Sequence, residues 1–386
     1  MMADCGDSKR RAMRQWIVAG CALVMLTLLG ACGGPAKPKP GPLETIAGNS
    51  VATSARLVWS QRFEAVRFPL ALAIHGSNLT LAGDDGTVVS LDAASGKELT
   101  RGSAGGKLSA GVGSDGRWSA VATRDGQVVA LEAGRTVWSH ALGSRVVTRP
   151  LVAGERVFVL ATDRSVHAFD AATGAKLWTV RRPGDALTLS QSGVLMAVGN
   201  TLVVGQGARL AGLDPANGAV SWELPLATPR GTNEIERLAD LVGPVGRAGD
   251  VVCARAFQSA VSCVNAVRGT LLWTRTVGGT QGITMDAQTV VAADASSRVT
   301  AWRAATGEVI WSSEALLHRD VSAPVMLPNG VAFGDADGTV HLLARDSGKT
   351  IARLPTDGSP IQTLALTADA TLVAVTRNGS VFAFRL

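Results

Sequence analysis

The sequence predicts an all-β chain in which eight four-stranded antiparallel sheets close into a ring, and three observations carry that prediction. A hairpin signature recurs. "VHAFDAATGAKLWTV" (166–180) alternates apolar and polar residues, reverses at a glycine and alternates again, and the shape returns as "RLAGLDPANGAVSWELPL" and "VTAWRAATGEVIWSSEA". The recurrence has a period. Gly134, Gly174, Gly218, Gly269 and Gly307 are followed four residues later by Trp138, Trp178, Trp222, Trp273 and Trp311, while Gly96 and Gly348 fit the frame with Thr100 and Ala352 in the tryptophan place. With Trp59 at the head, the marker positions step by 41, 38, 40, 44, 51, 38 and 41 residues. Composition agrees: 46% hydrophobic and 18% charged residues bury a large core, and 44 glycines with little helical periodicity after residue 45 favour strands joined by tight turns.

Taken in chain order, the first element is an address. The basic stretch "SKRRAMRQ" precedes "WIVAGCALVMLTLLGAC", whose apolar part is shorter than the ~20 residues of a membrane span and ends in small residues, as a cleaved export signal does. Leu29-Gly30-Ala31-Cys32 resembles the bacterial lipobox, so residues 1–31 are expected to be removed and Cys32 acylated. Met13 fits as the initiator within an extended start. The segment 32–47, with "GGPAKPKPGP", reads as the lipidated cysteine and a flexible tether. By resemblance to other bacterial lipoproteins, Gly33 rather than Asp after the cysteine implies sorting to the outer membrane, on its periplasmic side.

Residues 48–386 are expected to form the ring. In each repeat an Asp such as Asp170 or Asp214 can accept hydrogen bonds within the turn, and the glycine takes positive φ without a Cβ penalty. A second hairpin, with turns such as "GDDGTV" (83–88), "TRDGQV" (123–128) and "DADGTV" (335–340), brings each unit to four strands. Four short strands cannot bury both faces alone, whereas radial stacking with a large aromatic between neighbours does, so a β-propeller follows. Seven units end at the markers from 100 to 352. The remaining strands "IQTLALT", "TLVAVTR" and "SVFAFRL" lack a fourth, which the strand around Trp59 supplies, giving eight blades and no open edge.

The two longest spacings, 44 and 51, are adjacent, and their extra residues fall after Trp178 and after Trp222, where one blade hands over to the next. Such handovers share one face of a propeller, and neighbouring insertions there are what a binding surface looks like. Cleavage before Cys32 would remove Cys5 and Cys21 and leave Cys253 and Cys263 flanking a short turn. A cross-strand disulfide and a pair of buried small residues fit equally, because a one-residue slip in register sends the side chains to opposite faces.

The pattern Asp-Ala-x-x-Gly-x-x-x-Trp resembles the repeat of quinoprotein-type eight-bladed propellers over roughly residues 50 to 386. Two groups share it: quinone-dependent dehydrogenases, with pyrroloquinoline quinone and calcium in the ring, and the BamB-type lipoproteins of the outer-membrane β-barrel assembly machinery, which use the ring as a scaffold without a cofactor. With its lipobox and the stretches "DALTLSQSG" (185–193), "GTNEIERLADLVGPV" (231–245) and "EALLHRDVSAPV" (314–325), this chain resembles the second group. That resemblance implies a non-enzymatic protein whose first two stretches meet the periplasmic POTRA domains of the barrel protein BamA, with Leu187, Leu189 and Asp240 in the contact. Relatives carry Arg after the second leucine and Asp two positions beyond Asp240. Here those places hold Ser190 and Val242, which puts the polar half of the contact in doubt.

The rest of the sequence narrows the alternatives. His75, His140, His167, His318 and His341 lack metal-ligand spacing, "SGKT" (347–350) has Leu343 where a phosphate-binding loop needs its first glycine, and "DADG" (335–338) lacks the later carboxylate of a calcium loop. The quinone enzyme requires an adjacent cysteine pair, which is missing, so it stands as the alternative function together with a ligand-binding channel. Of the net charge of +6, +2 lies in the first 31 residues, and the scattered remainder gives no nucleic-acid groove. Unfolded outer-membrane proteins stay open as further partners.

Overall fold

The computed structural model describes residues 38–46, 55–182, 187–228 and 231–386. The export signal 1–31, Cys32, the rest of the tether to residue 37, and residues 47–54 lie outside the described residues. A compact unit, Pro40–Leu386, holds every strand.

Among the described residues, thirty-two strands form eight four-stranded antiparallel sheets. In seven blades the strands follow chain order from the inside outward: residues 73–103, 113–141, 151–181, 195–225, 241–276, 284–313 and 325–355 make blades 1 to 7. Blade 8 takes Ile361–Leu366, Thr371–Thr376 and Ser380–Arg385 from the end of the chain and its outermost strand, Arg56–Arg62, from the start. That strand pairs antiparallel with Ser380–Arg385, setting Trp59 opposite Ala383. The ring closure expected from the orphan strand is present.

The core is divided among the junctions. Eight clusters of buried apolar residues each span two neighbouring blades, for example Trp138 of blade 2 with Val157 and Phe169 of blade 3, and Val373, Val375 and Val381 of blade 8 with Leu79 and Leu91 of blade 1. Each blade thus buries both faces against its neighbours, as radial stacking requires.

The tryptophans show how the junctions are made. Each of the six repeat-marking tryptophans lies on the outermost strand of its blade, opposite a small residue on the adjacent strand: Ala130, Ala168, Gly212, Cys263, Ala301 and Ala383 face Trp138, Trp178, Trp222, Trp273, Trp311 and Trp59. Each indole packs on the turn glycine of the next blade. A Cβ on Gly174 would lie 2.6 Å from Trp138, and one on Gly348 2.4 Å from Trp311. In five cases the indole N–H also donates to a carbonyl of that turn, as in Trp138 to Ala171 at 2.8 Å and Trp59 to Ala93 at 2.9 Å. The recurring glycine therefore serves the neighbouring blade's aromatic as well as its own positive φ.

This pairing explains the two gaps in the repeat. Thr100 on blade 1 faces blade 2, whose outer hairpin is a two-residue turn, Ala133-Gly134, with nothing for an indole to cap. Ala352 on blade 7 faces blade 8, whose two outer strands come from opposite ends of the chain and are joined by no turn. Tryptophan is used where a longer turn exists to receive it.

Cys253 and Cys263 stand directly opposite each other in blade 5, both fully buried, and the structure joins them as a disulfide. Cys263 also fills the small-residue place facing Trp273.

Candidate partner-binding surface

The turns between the two middle strands of each blade and the handovers between blades meet on one face: Ala104 donates to Gly86, Leu142 to Gly126, Leu226 to Ala208 and Thr356 to Gly338 through the backbone. On this face the two handovers with added residues stand out. Residues 182–194 and 226–240, thirteen and fifteen long, flank blade 4, against five to eleven elsewhere. Their origin is fixed by charge. Arg182, at the start of the first, and Arg209 both donate to Glu223; burial pushes the Glu223 carboxyl up, and the two guanidiniums outweigh it and hold the group below its ordinary range.

The second handover begins with a local turn. Glu236 accepts from the amide and hydroxyl of Thr232, and Asn233 Oδ1 accepts from the Glu236 amide. This cap presents Ile235 to solvent at 73% exposure, the highest of the large apolar side chains among the described residues. Reading the sequence left Ile235 out; its place inside the longest insertion was the available signal.

The handovers are joined to each other. The Leu189 amide donates to Asp240 Oδ2 at 2.9 Å, and the Gly243 amide donates to the Ser192 carbonyl at 2.8 Å. Thr188, Leu189 and Asp240 line a cavity of about 60 Å³ with Arg164 and Gly207. Leu187 is exposed at 37%, Ser190 is exposed, and Leu189 is half-buried. The structure thus brings Leu187, Leu189, Ser190 and Asp240 together. Val242 is the exception. It is 1% exposed and paired with Arg255 in the inner strand Leu241–Ala248, and it lines the same cavity as Leu189 and Asp240 from a buried position. A valine in place of a carboxylate gains by burial and turns inward.

A second opening, the central channel, has a volume of about 1130 Å³ and carries Arg149, Asp294 and Asp320 on its wall. Asp294 spends Oδ1 on the amides of Ser296 and Arg298 and the Ser296 hydroxyl. Among the described residues no group of three His, Cys, Asp or Glu could hold a metal ion, and the two cysteines are bonded to each other within a blade. The channel wall does not fit a quinone with calcium.

Comparison with known proteins bears on the same features. The family model described as outer membrane protein assembly factor BamB matches residues 84–313. The BamB of Burkholderia pseudomallei is 34% identical over 371 residues, 95% of this chain and 96% of that one, and the BamB of Bordetella pertussis is 35% identical over 82% of each. The crystal structure of BamB from Moraxella catarrhalis superposes with a TM-score of 0.78 at 24% identity, covering 86% of this chain and all of that one. The quinohemoprotein alcohol dehydrogenase of Comamonas testosteroni, at a TM-score of 0.66 and 15% identity over 89% of this chain and 78% of its own, shares the fold alone. The chain belongs to the family of BamB outer membrane protein assembly factors.

Proposed function

We propose that the chain is a non-enzymatic scaffold of the outer-membrane β-barrel assembly machinery, anchored to the periplasmic side of the outer membrane by a lipid on Cys32. It acts by holding the POTRA domains of the barrel protein BamA and so assists insertion of β-barrel proteins; direct contact with unfolded clients is a secondary part of this reading. One observation carries the proposal. The two longest handovers flank one blade, share one face and are tied by the Leu189–Asp240 hydrogen bond, so that they present a single surface with Leu187 and Ile235 exposed. Apolar anchors within a polar rim are what a protein interface uses.

The test is co-purification from solubilised envelopes. Replacing Leu187 and Leu189 together with Glu is expected to lower recovery of the barrel protein at least tenfold while the thermal transition of the propeller stays in place. Unchanged recovery would remove the assignment.

A further inference from the structure

We infer that Arg164, which lies in neither handover, is a positioning residue of the partner surface: together with Asp240 it clamps the segment 187–191 in its presenting conformation. The inference rests on the proposed role of that surface and adds to it the device that holds the surface ready.

Asp240 is fixed before it touches the first handover. Its carbonyl accepts the Phe257 amide at 2.9 Å, and the next residue, Leu241, donates to the Gly207 carbonyl at 2.9 Å. Its carboxylate is therefore carried on blades 4 and 5, and one oxygen accepts the Leu189 amide. Farther along the first handover, Gly193 donates to Thr148 Oγ1 and the Ser192 carbonyl accepts from Gly243. Among the described residues, the bond to Asp240 is the one hydrogen bond that holds 187–191.

Arg164 completes the clamp from blade 3. It sits in the turn between the two middle strands of that blade, with φ at +64°, where Gly86, Gly126, Gly338 and Gly379 occupy the corresponding turns of four other blades and Gln258 and Ser297 also hold positive φ in those of blades 5 and 6. An arginine in this left-handed position costs backbone energy that glycine avoids, so glycine can replace it without added backbone strain. Its amide donates to Ala161 and its carbonyl accepts from Gln206 Nε2, so its backbone is fixed too. The guanidinium passes over Gly207, 3.6 Å from where a Cβ would stand, and brings Nη2 to 3.8 Å from Asp240 Oδ1, both side chains being 16% exposed. One carboxylate oxygen thus faces a cation and the other an amide, which directs the lone pairs of Asp240 at Leu189 rather than at solvent. Asp240 then contributes to partner binding through Leu189 and not by touching the partner itself.

Arg164→Gly separates this role from simple support, since glycine relieves the backbone strain while removing the guanidinium. The full chain is compared as wild type, Arg164→Gly, Asp240→Asn and Leu187→Glu, by amide hydrogen exchange, melting temperature and capture of the POTRA region. Arg164→Gly is expected to keep or raise the melting temperature, speed exchange of the Leu189 amide about tenfold and weaken capture several-fold, with Asp240→Asn moving exchange and capture the same way. Unchanged Leu189 exchange in Arg164→Gly would overturn the inference. So would faster exchange with full capture, provided Leu187→Glu abolishes capture. Should Leu187→Glu leave capture intact, the functional reading falls, and the exchange result still decides whether the clamp exists.

Discussion

The junction between blades 2 and 3 and the junction between blades 4 and 5 follow one plan and differ in how tightly they are closed. At the first, Trp138 is 9% exposed, faces Ala130, and donates to Ala171 in the next blade. At the second, Trp222 is only half-buried, faces Gly212, and its N–H finds no acceptor among the described residues. Two glycines crowd the ring: a Cβ on Gly212 of its own sheet would come within 2.3 Å of the indole and one on Gly269 of the next turn within 2.4 Å, so the ring packs on that turn but leans onto its own strand and its N–H misses a carbonyl there. The looser junction also carries the longest handover and the Asp240 that meets Leu189. The repeat array thus relaxes its packing rule beside the surface proposed for partner binding, as expected if function is built at the expense of local regularity.

The comparison can be broken at the tryptophans. Trp138→Ala should cost about 3–5 kcal/mol, the range for emptying a buried aromatic site. Trp222→Ala should cost less, by about 1 kcal/mol for the absent hydrogen bond and by more for the smaller burial. Urea denaturation measures both, and equal costs would show the two junctions to be equivalent. A gentler change sharpens the contrast. Gly212→Ala is expected to press the Trp222 ring away from its own strand so that its N–H reaches a carbonyl of the neighbouring turn, and to raise stability by about 1 kcal/mol, seen as a higher urea midpoint with a shift in tryptophan fluorescence. A loss of stability would mean that the indole has nowhere else to go.

Acid probes the regular turns by a smaller and graded effect. Burial pushes the Asp335 carboxyl up, but hydrogen bonds from His341 and the Thr339 amide outweigh it and hold the group below its ordinary value; Asp369, bonded first by Thr367, is lowered as well. A depressed carboxylate contributes its full stabilisation above the unfolded value of about 3.9 and loses it as pH falls through the folded value. His167 is lowered too, by burial, so the folded state prefers it neutral and its contribution fades below about 6.5. The urea midpoint should therefore fall gently below neutrality and steeply below about pH 4; a midpoint that rises on acidification would contradict both assignments.

The architecture was legible because a repeat writes its geometry into spacing. Blade number, the orphan strand at Trp59 and the placement of the two enlarged handovers all follow from glycine and tryptophan positions. The gaps at Thr100 and Ala352 were legible only in hindsight, since their explanation lies in the turn of the following blade, about forty residues on. Asp240 and the leucines came from resemblance. The burial of Val242 was not legible, because an aligned position carries no statement of which way the chain faces there, and an irregularity in pairing between Val242 and Gly246 alters the alternation of the strand. Arg164 could not be found at all from local sequence: it reads as an ordinary turn residue, and only the stacking of blade 3 on blade 4 brings it to the second handover. The register that joins Cys253 to Cys263 was likewise a question that pairing alone could answer.

The seam of the ring has a mechanical consequence. Blade 8, where the first and last strands of the chain lie side by side, is four steps out of eight from blade 4, the blade flanked by both long handovers. A load applied to the polypeptide ahead of Arg56 enters the disc at the rim diametrically across from Leu187 and Asp240. Traction there strains a single strand pairing first and reaches the two long handovers only after crossing the full width of the ring.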